Sequence, residues 1–126
     1  MRQAIHTDKA PAVIGNYSQA INAGNIVYLS GQIPLNPKTM SLISNDTKEQ
    51  IDQVFKNIKN LAEAAGGNLE KIVKLTVYLT DLSAISIVNE AIAQYFKQPY
   101  PARTSIQVHA LPKGASIEVD AIMDLL

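Results

Sequence analysis

The stretch YPARTSIQV, residues 100–108, sets an arginine at the head of a segment that alternates like a half-buried strand. Thr104, Ile106 and Val108 fall on one face, and Arg103, Ser105 and Gln107 on the other. A guanidinium is always charged and presents a planar fork of donors. That fork fits a carboxylate through two parallel hydrogen bonds, a geometry an ammonium cannot reproduce. Pro99 and Pro101 fix φ just ahead of Arg103 and bring the chain in rigidly. Ser105, two residues on and on the same face, adds a hydroxyl or a backbone group. A strand-edge arginine is most often half of a surface ion pair. The setting of Arg103 favours capture of a small planar anion instead.

Glu118 is the second residue suited to chemistry. In SIEVDAIM the core face is Ile117, Val119, Ala121 and Met123, and Glu118 lies on the other face with Ser116, Asp120 and Ile122. Two acids on an outward strand face are usually solvated. Covered by another layer, Glu118 would lose water, its pKa would rise, and it would become a proton acceptor or donor near neutrality. Asn89 is spaced with Ile85, Ile92 and Phe96 along an apolar helical stripe, where a buried amide needs partners, either backbone or ligand. Tyr17, in IGNYSQA, packs or lines a site with its phenol. Ser30, Gly31, Gln32 and Ile33, in SGQIP, supply a glycine where backbone can approach a ligand. His6 and His109 are too isolated to argue for zinc, and no serine has a persuasive histidine and acid partner.

These residues must be held by a small α+β domain. After SNDT a helix is capped by Thr47 with Gln50 or by Asp46 with Glu49. It carries Ile51, Val54, Phe55, Ile58, Leu61, Ala62 and Ala65 on one stripe, and ends at Gly66-Gly67. A second helix starts near Asp81 or Ser83, runs through Phe96 and stops before Pro99. Residues 71–80 alternate Val73, Leu75, Val77 and Leu79 against polar neighbours. Residues 18–23 and 26–30 form a hairpin about Gly24-Asn25, and 102–109 and 116–123 a second about LPKG. The order strand, strand, helix, strand, helix, strand, strand reads as a mixed sheet covered on one face by two helices. In the second hairpin the backbones of Arg103 and Glu118 would lie more than about 10 Å apart. Long side chains, another register or a neighbouring subunit must then bring them together. In IVYL, residues 26–29, both strand faces are apolar, and no third helix exists to cover the second. A homo-oligomer packing its sheets together is the economical cover.

Gross composition narrows the function. The 126 residues suit a single domain spanning 1–126, 47% of them are apolar, and acidic and basic residues balance at 11 each. Nucleic-acid binding usually leaves a basic footprint, and the lysines here are scattered. There is no cysteine, which removes disulfides and thiol nucleophiles. No apolar run approaches the roughly 20 residues of a membrane span, and the start has no signal-peptide core, so a cytoplasmic location is the expectation.

The segments APAVIGNYSQAI, VYLSGQIPLNPKT, NLAEAAGGNLEKIVKLTVYLTDL, VNEAIAQYF, YPARTSIQV and LPKGASIEVDAI together resemble the RidA family over nearly the whole chain. That resemblance implies a chorismate-mutase-like fold, a homotrimer with ligand clefts between subunits, and no metal or organic cofactor. It implies hydrolysis of reactive 2-imino acids, released by pyridoxal-phosphate-dependent dehydratases, to 2-keto acids and ammonia. Arg103 then matches the family's carboxylate-binding arginine and Glu118 the acid that holds or activates water. Tyr17, Asn89 and the loop Ser30 to Ile33 match site-lining positions. The chain departs from the family where Asn16 replaces a common proline, Ser105 a common cysteine, and Val119 a common isoleucine or methionine. A non-catalytic module that binds small carboxylates or a partner protein is the competing reading, which would keep Arg103 and dispense with Glu118.

Overall fold

The computed structural model describes residues 2–126. Its elements follow in the order β1 (Arg2–Ile5), β2 (Ala20–Ala23), β3 (Ile26–Gln32), α1 (Thr47–Ala64), β4 (Ile72–Leu79), α2 (Ile85–Tyr95), β5 (Ala102–Gln107) and β6 (Ile117–Asp124). The order of α1 and α2 among β2 to β6 matches the periodicity; β1 was not expected. It is a short edge strand, exposed along most of its length and without an alternating apolar pattern to announce it.

Of the two possible caps, Asp46 starts α1, its carboxylate accepting the Glu49 N–H at 2.9 Å. The expected stripe is buried throughout, from Ile51 to Ala65. Gly66, at φ +92°, ends the helix in a conformation glycine adopts without strain. Asp81 accepts from the Ser83 N–H at 2.9 Å, closing the short turn that leads into α2. Both helices contribute to one core. Phe55 of α1 is fully buried, its ring centroid 5.7 Å from that of Tyr95 and 5.9 Å from that of Phe96.

The sheet has six strands in the order β1-β2-β3-β6-β4-β5. The first hairpin is as expected: β2 pairs antiparallel with β3, and Gly24 in the turn has φ +65°. The second hairpin does not form. β5 pairs parallel with β4, across α2, and β6 inserts between β3 and β4, antiparallel to both. The connection, residues 108–116, is longer than the about two to five residues of a tight hairpin and can carry the chain past a strand. Burial explains the exchange. Ile117, Val119, Ala121 and Met123 are almost wholly enclosed and the alternate residues of β6 half-buried, as a central strand requires. In β5 only Ser105 is even partly covered, which suits an edge.

One face assignment changes, and another is settled. A bulge between Ile72 and Lys74 turns Ile72 inward and leaves Val73 48% exposed, so the core face of β4 is Ile72, Leu75, Val77 and Leu79. On β5 the register pairs Arg103 with Leu75 and Ser105 with Val77, so it is the polar face that turns toward the helices. Ile106 lies on the opposite face and is 42% exposed.

The buried members of β3, β4 and β6 share a core with residues of both helices, and among the described residues no second layer lies on the opposite face of the sheet. Tyr28 on that face is 51% exposed, and its cross-strand neighbour Ile122 is only half-buried. The surplus apolar parity of residues 26–29 corresponds to this bare face.

Because Phe55 joins α1 to the end of α2, Phe55→Ala is expected to cost about 3–5 kcal/mol of stability. Urea unfolding followed by circular dichroism measures it as a lower midpoint at unchanged slope.

Candidate functional site

The residues singled out in the sequence form two groups. The first sits at the β5 edge on the helix side. Arg103 Nη1 donates to Asn89 Oδ1 at 2.7 Å, and the two residues line a cavity of about 450 Å³ with Leu75, Ile92, Tyr100 and Pro101. Asn89 is exposed rather than buried: it lies at the rim of the α2 stripe, where the helix turns toward β5. Its amide oxygen occupies one of the five guanidinium N–H donors. Ser105, on the same strand face, has a buried hydroxyl oxygen with no hydrogen-bond partner. Tyr100, 47% exposed, was missed in the sequence because it precedes the strand and belongs to no periodic pattern.

The second group gathers around the end of β3. Tyr17, Gly31, Gln32 and Ile33 line a small recess of about 50 Å³ together with Ile14. The Ile14 N–H donates to the Tyr17 hydroxyl oxygen at 3.3 Å, which leaves the phenol proton uncommitted by that bond. Gly31 and Glu118 are in close contact: a Cβ at position 31 would lie 2.8 Å from the carboxyl carbon of Glu118. The glycine is therefore what lets the carboxylate rest against β3. Ser30, also expected in the site-lining loop, is bonded within the chain. Its hydroxyl donates to the Ser18 carbonyl at 2.6 Å and its N–H to the Gln19 carbonyl at 2.9 Å, so both groups brace the chain.

Glu118 is half-buried on the open face, next to the Tyr78–Asp120 hydrogen bond of 2.9 Å. Loss of water and the neighbouring Asp120 charge push its carboxyl above the ordinary value. The Tyr78 phenol is raised as well, by its bond to Asp120 and by burial.

One chain does not unite the two groups. Arg103 is registered to Leu75 and Glu118 to Tyr78, three positions along β4. With about 3.3 Å per residue and about 4.8 Å between strands, the backbones stand on the order of 14 Å apart. The two side chains also project from opposite faces of the sheet. The separation inferred from a hairpin persists, although that pairing is replaced. A depression of about 690 Å³ between α1 and α2, lined by Lys48, Ile51, Ile87 and Glu90, contains none of these residues. Among the described residues no cluster of His, Asp or Glu is arranged to hold a metal ion, and no helix is long and apolar enough to cross a membrane.

A family model described as Endoribonuclease L-PSP matches residues 7–124. The chain belongs to this family, the RidA family. It is 43% identical over 122 residues to a human protein named 2-iminobutanoate/2-iminopropanoate deaminase, covering 97% of this chain and 89% of that one. It is 47% identical over 122 residues to a RutC family protein of Pyrococcus horikoshii, covering 97% of each. A solved structure of RidA from the Antarctic bacterium Psychrobacter sp. superposes with a TM-score of 0.94 at 51% identity, covering 97% of this chain and 98% of that one. The RidA family thus accounts for the mixed six-stranded sheet with two helices, and homologues named as deaminases place imine deamination within its range.

A carboxyl whose folded-state pKa lies above its unfolded value holds its proton more tightly in the folded protein. Its ionisation then costs stability as pH climbs from about 4.5 through the folded value. Glu118→Gln is expected to raise the melting temperature at pH 7, with the gain shrinking toward zero as pH falls to 4. Thermal unfolding of both proteins across that range measures the difference.

Proposed function

We propose that this protein hydrolyses small 2-imino acids to 2-keto acids and ammonia, as a homotrimer whose sites form between copies. The observation that carries the reading is the division of the site. Arg103, anchored by Asn89, opens from one side of the sheet, and Glu118, seated on Gly31, opens from the other. A uniform assembly that covers the open face with a neighbour's β5 edge would set one group against the other, three times over in a closed ring. The bare face bearing Tyr28 and Ile122 supports such packing.

In this arrangement Arg103 pairs with the substrate carboxylate through its remaining N–H donors, and Asn89 keeps the fork from rotating. Ser105 offers its partnerless hydroxyl beside the same carboxylate. The iminium carbon is electrophilic without help from a cofactor. Glu118, its basicity raised by burial, takes a proton from a water as the oxygen attacks that carbon and the C=N electron pair moves to nitrogen. The proton passes to nitrogen, the C–N bond breaks, and ammonia leaves as the carbinol oxygen closes to the ketone and gives up its own proton to the Glu118 carboxylate. The Tyr17 hydroxyl, which only accepts in its bond with Ile14, keeps its proton to donate to the nascent oxygen or nitrogen. Gly31, Gln32 and Ile33 shape the wall behind it.

The test generates 2-iminobutanoate in situ with a dehydratase and follows keto-acid release. The wild-type protein is expected to accelerate release, and Arg103→Ala and Glu118→Gln each to lower it by about 100-fold or more. A well-folded oligomer without acceleration would leave a carboxylate-binding module. Unfolding and co-refolding the two inactive variants together checks the division of the site. If Arg103 and Glu118 come from different copies, random mixing restores about a quarter of the wild-type sites. If both came from one copy, it restores none.

A further inference from the structure

The segment between β1 and β2, residues 6–19, contains neither helix nor strand, yet it presents Ile14 and Tyr17 to the recess beside Gly31. A segment without its own ladder keeps one conformation only if its backbone groups find other partners. Here one side chain partners four of them. Gln19 is 3% exposed, and its Oε1 accepts the Thr7 N–H at 2.7 Å. Its Nε2 donates to the carbonyls of Pro11 at 2.9 Å, Thr7 at 3.0 Å and Ala10 at 3.4 Å. The backbone carbonyl of Gln19 meanwhile accepts the Ser30 N–H at 2.9 Å. A single residue therefore fastens the incoming strap on one side and β3, one position before Gly31, on the other. Farther along the strap, Asn60 Nδ2 adds a bond to the Lys9 carbonyl at 2.9 Å.

The opposite wall of the recess is tied by a like device. Asn57, fully buried, donates to the carbonyls of Leu35 at 3.1 Å and Ile33 at 3.4 Å, and accepts from Gln53 at 2.9 Å. Only a neutral amide offers both an acceptor and two donors at one position. A carboxylate of the same shape would face the three strap carbonyls without a proton to give them.

We propose that Gln19 is a positioning residue for the Tyr17 loop. By holding residues 7–11 against β3 it sets the distance between the Tyr17 hydroxyl and the Glu118–Gly31 contact, without touching substrate itself. The proposal rests on the reading that Tyr17 lines the imine site. A loop displaced by about 1 Å at such a site costs on the order of 100-fold in rate.

Backbone hydrogen exchange and steady-state kinetics on wild type, Gln19→Ala and Gln19→Glu test it. Exchange is expected to quicken by about tenfold or more across residues 7–17, with β3, β4 and β6 unchanged. The kcat is expected to fall about ten- to a hundredfold, while the affinity for 2-oxobutanoate, which Arg103 would hold, stays as it was. Exchange that rises evenly over the whole sheet would overturn the proposal, as would a loosened strap with unaltered kcat. So would a strap whose exchange does not change. If Gln19→Ala does not fold, Gln19→Glu, which keeps the shape and the Thr7 bond, is judged by the same criteria. If the wild type does not hydrolyse the imine, the deaminase reading is what fails, and the exchange pattern alone decides the role of Gln19.

Discussion

Two amphipathic helices cover one side of a six-stranded sheet, and among the described residues no helix or strand covers the other. The covered side is conventionally apolar, with β4 and β6 contributing alternate residues that are nearly or wholly enclosed. The bare side combines Tyr28, Ile106 and Ile122 with Lys74, Glu118 and Asp120. Charge and hydroxyl groups there already satisfy one another in part: Tyr78 donates to Asp120, and Lys74 reaches Thr76 and Thr104 at 3.0 and 3.3 Å. Such a surface is too apolar to be indifferent to a neighbour and too polar to be an ordinary core. It suits a contact that buries surface and still keeps ionisable groups within reach of a ligand.

The electrostatics follow from that asymmetry. Glu118 is shielded by β3 on one side, because Gly31 has no side chain to keep the carboxylate away, and it faces the Asp120 charge along its own strand. Both influences favour the protonated form. Asp52, on the helix side, behaves in the opposite sense. Burial works to raise its pKa, but hydrogen bonds from Tyr95 and Lys56, with the charges of Lys56 and Lys48, outweigh it and leave the carboxyl below its ordinary value. That pair of groups ties α1 to α2 and has the character of a structural brace. Among the described residues no cation pairs with Glu118, and that is the chemical difference between the two acids.

The helices were legible because their signals are local. An Asp at the cap, a stripe of threes and fours and a terminal glycine lie within one window. Strand pairing is not local, and LPKG looks like a hairpin turn until burial shows that β6 belongs at the centre and β5 at the edge. A period of two places Val73 inward because a bulge is invisible to it. Asn89 was placed in the stripe, but a short helix lying against an edge strand leaves its rim open. Arg103, Glu118, Tyr17 and Gly31 could be singled out from residue type and setting. Their separation to opposite faces depends on register, which no short segment encodes. Gln19 escaped notice because the carbonyls it serves belong to residues 7–11, which carry no pattern of their own.

The strand that joins the two halves of the sheet, β6, comes last of the six in chain order. Without it, β1 to β3 would be one ribbon and β4 with β5 another, with no ladder between them and the inner faces of both open to solvent. A nascent chain emerging from a ribosome would hold its two helices without a finished surface on which to dock them. Cooperative collapse must therefore wait for the final strand, and contacts of long sequence separation govern its speed. Until then the unpaired borders of β3 and β4 are the segments most in need of protection from other unfinished chains.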